Sequence, residues 1–218
     1  MSPSPYHRAG WFILFLSLMA LVAACTPTTP VPPSSEGDVL FSDDFAMTNS
    51  NWALFDTPAG TAQIQQGNLY LTDLGHEKSI STSLLNRQWD NVIIRTQLRQ
   101  AAGTQNNWMG VTCRQADESN YYLFAIGADG YYLLLKMLAD KATPLAGPET
   151  SPAIHPDRGI NTLEVSCVAN TLTLSINQQE LASVTDESFV SGQISLFTDS
   201  LTNDETSVAF DNFVIIAP

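Results

Sequence analysis

Residues 161–180 read "NTLEVSCVANTLTLSINQQE". In the first half, Leu163, Val165 and Cys167 fall on one face and Glu164 and Ser166 on the other, the period-two alternation of a half-buried strand. The second half repeats the pattern after "VANT", and "NQQE" ends it, so the stretch predicts two strands joined and followed by tight turns. Outward from this hairpin the same texture recurs. "NLYLTDL", "NVIIRTQLRQ", "NWMGVTCRQ", "NYYLFAIG", "YYLLLKML", "GQISLF" and "SVAFDNFVII" all read as strands, with turn residues between them. "GADG" between two aromatic-rich runs predicts a hairpin, because Asp-Gly takes positive φ at little cost. No long segment has helical periodicity. Many short antiparallel strands in a single domain predict an all-β, two-sheet sandwich or jelly roll.

Before this domain stands the apolar run from Trp11 to Ala24, "WFILFLSLMALVAA", which ends at Cys25 and gives way to "TPTTPVPPSSEGD". The run is too short to cross a bilayer core of ~30 Å, which takes ~20 helical residues. With His7 and Arg8 ahead of it, it reads as the core of an export signal. The junction Val22-Ala23-Ala24-Cys25 resembles the lipobox of bacterial lipoproteins, although leucine is commoner where Val22 stands. That resemblance implies cleavage before Cys25 and acylation of it, with lipid chains replacing the missing length of helix. Residues 1–24 are thus expected to be a signal peptide, and residues 25–38 a lipidated cysteine with a Pro/Ser/Thr-rich tether. Residues 39–218 are expected to form the domain, held outside the cytoplasm on a bacterial membrane.

The chain carries a formal charge of −13. Loss of the first 24 residues removes Arg8 and no acid, leaving −14. Such a surface repels phosphate backbones and excludes nucleic acid as a partner. With Cys25 assigned to lipid, Cys113 and Cys167 remain; both fall on apolar strand faces, and an exported domain oxidises such a pair. A disulfide between them is expected. Two cysteines with His76 and His155 in unrelated loops do not make a zinc site.

The succession "FSDDFAMTNSNWALF", "YYLFAIGADGYYLLLK", "NTLEVSCVANTLTLSINQQELASVTD", "SGQISLF" and "VAFDNFVI" resembles the concanavalin A-like jelly rolls. It is similar in particular to the laminin-G-like domains of bacterial surface proteins, and to the related domain named for 3-keto-disaccharide hydrolase. The resemblance implies two curved antiparallel sheets, adjacent first and last strands, and a ligand, often carbohydrate, on a concave face or rim.

Catalytic motifs are absent. Glycoside hydrolysis needs two carboxylates across a bond, and no Glu-x-Asp-x-x-Glu strand occurs. Nor is there a Gly-x-Ser-x-Gly elbow or a His-Glu-x-x-His helix. The "DES" at Asp117 and at Asp186 reads as turn. A binding face is the better candidate. Parity puts Arg95, Gln97 and Arg99 on one side of their strand, Trp108, Thr112 and Arg114 on one side of the next, and Lys136 with Tyr132 on a third. If all face outward, Arg95, Arg99, Trp108, Arg114, Tyr132 and Lys136 offer cations and stacking surfaces to a polar or anionic glycan; alternatively the cations only neutralise cross-strand acids. A second constellation joins the ends of the domain: Asp43 and Asp44 with Asp211 and Asn212. These oxygens suit a structural calcium, with Asp44 and Asp211 as leading ligands, or else they cap turns. The expectation is a carbohydrate-binding surface lipoprotein. The alternatives are an enzyme acting on a sugar derivative and an adhesive module with a protein partner.

Overall fold

The computed structural model describes residues 37–48, 51–75 and 79–218. The export segment, Cys25, most of the tether and His76 lie outside the described residues.

All the regular structure described is strand. The larger sheet holds β1 (Val39–Asp43), β2 (Phe55–Thr57), β3 (Gly60–Gln65), β4 (Asn68–Asp73), β6 (Val92–Gly103), β11 (Asn161–Val168), β12 (Thr171–Ile176), β13 (Gln179–Thr185) and β15 (Thr206–Ile216). Its order is β13-β12-β11-β6-β15-β4-β3-β2, with β1 beside β15. The smaller sheet holds β5 (Ile80–Ser83), β7 (Asn107–Asp117), β8 (Asn120–Ile126), β9 (Tyr131–Leu138), β10 (Lys141–Thr150) and β14 (Gln193–Ser200). Its order is β10-β9-β8-β7-β14-β5, and the pairings in both sheets are antiparallel.

Every strand expected from alternation forms. The turn after β8 closes with Gly127 N–H on Tyr131 O (2.8 Å) and Gly130 N–H on Gly127 O (3.1 Å), Gly130 taking φ +92° as the expected hairpin requires. The β12–β13 turn places Asn177 and Gln178 at φ 51° and 71°. The last strand lies beside the first, Asp43 opposite Phe213. The strands not expected from alternation include the interior six-residue β3 as well as short or edge strands. β2 has three residues, and β10 is an exposed edge strand with Pro144 and Pro148, where a missing N–H costs no ladder bond.

The inner faces meet in one core. Val92, Ile94, Leu98, Val165, Leu174 and Phe210 come from the larger sheet, and Met109, Val111, Tyr122, Phe124, Leu134 and Leu196 from the smaller. Burying a side chain of this size contributes roughly 1.5–3 kcal/mol, so the two faces hold each other. Cys113 of β7 and Cys167 of β11 bridge the sheets through this core in a disulfide. A second, smaller apolar cluster lies on the other face of the smaller sheet, where Tyr121, Leu123, Ala125, Leu133, Leu135 and Phe197 pack with Trp108 and Met137.

Candidate functional site: a groove on the smaller sheet

The six side chains expected to form one outward face do not meet. Arg95 and Arg99 lie on β6 in the larger sheet, whereas Trp108 lies on β7 in the smaller one. Consecutive strands here cross between sheets, so shared outwardness carries the residues to opposite sides of the sandwich. Arg95 pairs across the ladder with Glu164, its register partner, through Nε (2.9 Å) and Nη2 (2.8 Å). That is the cross-strand neutralisation weighed as the alternative.

Arg114 points inward and is 2% exposed. The pairing of β7 shifts register after Cys113 against β8, and again opposite Gln193–Ser195 of β14, leaving Arg114 in a bulge at φ 52°. A bulge breaks the period on which the parity argument rested. The neighbouring chain can approach because residue 192 is glycine: a Cβ there would lie 2.4 Å from the Arg114 carbonyl carbon. The guanidinium makes four hydrogen bonds to backbone carbonyls. Nε donates to Asp90 O (3.1 Å), Nη1 to Phe189 O (3.0 Å), and Nη2 to Cys167 O (3.3 Å) and Ala169 O (2.7 Å). It ties two loops to the end of β11.

Tyr132 and Lys136 share a face, as expected, but it is the inner one. "YYLLLKML" is apolar on both sides, so alternation alone could not orient it. Tyr132 belongs to the core and donates its hydroxyl to Glu149 (3.1 Å). Lys136 reaches Asp186 (2.5 Å) and Ser188 (2.9 Å), while Tyr122 OH donates to the other oxygen of Asp186 (2.5 Å). Burial works against ionisation of Asp186, but hydrogen bonds from Lys136, Tyr122 and Ser188 outweigh it and hold the carboxyl well below the usual range. Burial, with Asp186 second, pushes Tyr122 up to about 12. A depressed acid contributes stability above its unfolded pKa and loses it as pH falls. Asp186→Asn should therefore lower the melting temperature at neutral pH by about 5 °C. It should also flatten the loss of stability between about pH 5 and pH 2. Parallel acid limbs for the variant and the parent would refute the role given to this carboxylate.

A groove of about 630 Å³ opens on the smaller sheet. Tyr121, Phe55 and Phe197 give it aromatic walls, Ser81, Thr112, Gln115 and Ser119 hydroxyl and amide groups, and Glu118, Asp140 and Asp199 carboxyls. Strand pairing builds it. Ser195 stands opposite Thr112 and Phe197 opposite Gly110 in the ladder, so the outward side chains of β14 adjoin those of β7. Tyr121, the outward member of the Tyr121–Tyr122 pair, has its hydroxyl pushed up by burial and then by Asp199 and Asp140. Asp199 lies at the far end of β14, where burial and then the charge of Asp73 raise it to about 6. Asp73 is held by backbone N–H groups of Gly75 and Ser200 (both 2.8 Å).

Gln115 is the telling residue. It is 9% exposed, and its Oε1 accepts from Thr112 (3.0 Å) and Ser195 (2.5 Å). Its amide N–H₂ has no partner among the described residues, although it lines the groove. Among the described residues Trp89 Nε1 is the one buried side-chain polar atom without a partner, so Gln115 Nε2 is reached by solvent and offers its donors to the groove. Sequence reading missed this site. The bulge that turns Arg114 inward also sets the register of Gln115, and no local signal announces it. Asp199 was within reach, since it continues the outward parity of Ser195 and Phe197.

The proposed calcium ligands also divide. Asp43, Asp44, Asn51 and Asn212 border one hollow, and Asp211 borders another with Arg99 and Gln97. Asp43 accepts from Phe45 N–H (2.9 Å) and Trp52 Nε1–H (3.0 Å), and Asp211 accepts from Asn212 N–H (2.6 Å). These are the turn and cap bonds of the alternative reading. Among the described residues, no three His, Cys, Asp or Glu side chains are grouped as a metal would require.

No family model matches the sequence, and no curated protein does either. Solved structures do match. The carbohydrate-binding module CBM66 from Bacillus subtilis superposes with TM-score 0.54 at 16% identity, over 77% of this chain and 96% of that one. A protein of unknown function with a galectin-like fold, also from Bacillus subtilis, gives 0.61 at 12%, over 84% and 97%. The catalytic domain of an endo-1,3-beta-glucanase (laminarinase) from Thermotoga petrophila gives 0.59 at 9%, over 83% and 97%. The fold is a jelly roll. At these identities the likeness carries the fold and nothing finer, and the matching proteins' own descriptions span a carbohydrate-binding module and a glucanase catalytic domain.

Proposed function

We propose that this protein is a lipid-anchored, extracytoplasmic glycan-binding domain, with the groove on the smaller sheet as its binding site. The observation that carries the reading is Gln115, held through its Oε1 by Thr112 and Ser195 with its solvent-reached amide donors facing a groove walled by aromatic rings. A sugar presents apolar C–H faces that stack on such rings and hydroxyl oxygens that accept from such donors. The solved carbohydrate-binding module and glycanases of the same fold support this reading. The anchor rests on the Val22–Cys25 junction, and the tether carries the groove away from the membrane. Calcium, if bound at the β1–β15 seam, would draw on Asp43, Asp44 and Asn212.

The test uses the full chain expressed in a bacterial host, with labelled neutral, acidic and amino polysaccharides applied to cells and to the immobilised protein. Cells bearing the parent protein should retain a glycan. Tyr121→Ala and Gln115→Leu should weaken that retention about tenfold or more, a difference of ~1.4 kcal/mol, with the melt monitored to exclude unfolding. Cys25→Ser should release the protein from the membrane fraction without changing its affinity. Retention unaffected by both groove variants would refute the site.

A second reading, hydrolysis of a sugar derivative, has one observation in its favour. Asp199 is a half-buried groove carboxyl with no hydrogen-bond partner among the described residues, raised to about 6 and therefore suited to donate a proton near neutral pH. Following bond cleavage in the same incubations, with Asp199→Asn beside the parent, separates the two readings. Cleavage abolished by that change favours the enzyme, and intact glycan favours binding alone.

A further inference from the structure

The charge on the groove restricts which sugars it can take. Three carboxyl groups line it, from Glu118 in the β7–β8 turn, Asp140 in the β9–β10 turn and Asp199 on β14, and among the described lining residues there is no lysine or arginine. The cations expected to attract an acidic glycan are elsewhere. Arg95 is engaged by Glu164, Arg99 borders a different hollow on the larger sheet, Arg114 is buried among carbonyls, and Lys136 is tied to Asp186. An acidic polymer entering the groove would meet like charges and, among the described lining residues, no compensating cation. The three acids are also not grouped as a metal site. Separate carboxyls along one groove match charges repeated along a chain better than a single ion.

Among the described residues, neither the Glu118 nor the Asp199 carboxyl has a hydrogen bond or ion pair, whereas Asp140 accepts from Ser119 Oγ. Among the described residues, the elements around Asp199 offer Asp73 from β4 and Tyr121 from β8, and no cation. Gln115 adds neutral donors at the floor, which a hydroxyl or ring oxygen of the same ligand can satisfy. On the reading that the groove binds glycan, we propose that its ligand is a cationic amino-sugar polymer, whose protonated amines face Glu118, Asp140 and Asp199 while its rings lie along Tyr121 and Phe197.

The test compares three polymers of one β-1,4 backbone that differ only at the second carbon: hydroxyl, N-acetyl, and free amine kept protonated by the buffer. Binding to the immobilised full chain should be strongest for the amine. Glu118→Gln/Asp140→Asn should weaken it about fivefold or more, as for exposed ion pairs, and added salt should do the same. Asparagine tolerates the φ of 62° at residue 140, so the double variant should fold. Asp38→Asn/Glu180→Gln removes two exposed acids that do not line the groove and should leave binding unchanged. Equal binding of the three polymers would overturn the amine assignment, as would an equal loss in both double variants, since bulk acidity would then explain the attraction. Binding of a neutral or acidic polymer of another backbone, with the amine polymer silent, overturns this inference and keeps the glycan reading. Silence from every polymer overturns both.

Discussion

Arg114→Ala should destabilise the domain by on the order of 3–5 kcal/mol, the range for removing one partner of a buried charged network. The guanidinium satisfies carbonyls of residues 90, 167, 169 and 189, drawn from three separate segments of chain. Each buried acceptor left unpaired costs about 1–3 kcal/mol, less whatever water recovers at the hollow beside it. For a domain of this size the melting temperature should fall by about 10 °C or more. Burial lowers the pKa of the guanidinium, yet the group stays charged across the accessible pH range, so the loss should not depend on pH. Arg114→Lys should recover only part of the difference, because an ammonium cannot span four divergent acceptors. Arg114→Gly should be less harmful than Arg114→Ala by about 1 kcal/mol, since glycine adopts φ 52° without strain. Thermal melts of the three variants decide the matter. An alanine variant melting within a degree or two of the parent would show that water replaces the guanidinium and that the bulge holds itself.

Removing the disulfide should be nearly as severe. Cys113 and Cys167 are 54 residues apart in sequence, and on the chain-entropy account a closed loop of that length is worth about 4 kcal/mol. Both residues lie in the core and join the two sheets, so Cys113→Ala/Cys167→Ala also loses packing. The variant, and the parent melted in reductant, should both melt about 10 °C or more below the oxidised parent. Matching melts of oxidised and reduced protein would refute the contribution. The two effects should not add: Arg114 follows Cys113 in sequence and donates to the carbonyl of Cys167, so a double-mutant cycle should show coupling of roughly 0.5–3 kcal/mol. Such coupling would identify this end of the sandwich as one structural unit in which bridge and cation hold the same strand ends.

The local alternation in residues 161–180 determined the strands, and the period-two faces of β6, β7 and β11 determined the core side chains Val92, Ile94, Met109, Val111, Leu163 and Val165. The disulfide followed from two cysteines left in an exported domain, and their parity on apolar faces agreed with it. The hairpin at "GADG" followed from the φ that glycine permits. These are short-range properties, and neighbouring residues suffice to express them. Only the tertiary structure decided which sheet each strand joins. Parity distinguishes inside from outside but not front from back, so Arg99 and Trp108 were drawn together in sequence and separated in space. Only the tertiary structure decided the bulge after Cys113 as well, since the extra residue is set by register with two neighbouring strands. That one shift buries Arg114, brings Gln115 to the groove floor and leaves its donors free. The groove collects Tyr121, Glu118, Asp140 and Asp199 from strands and turns far apart in sequence, and long-range pairing, invisible to any local window, brings them together.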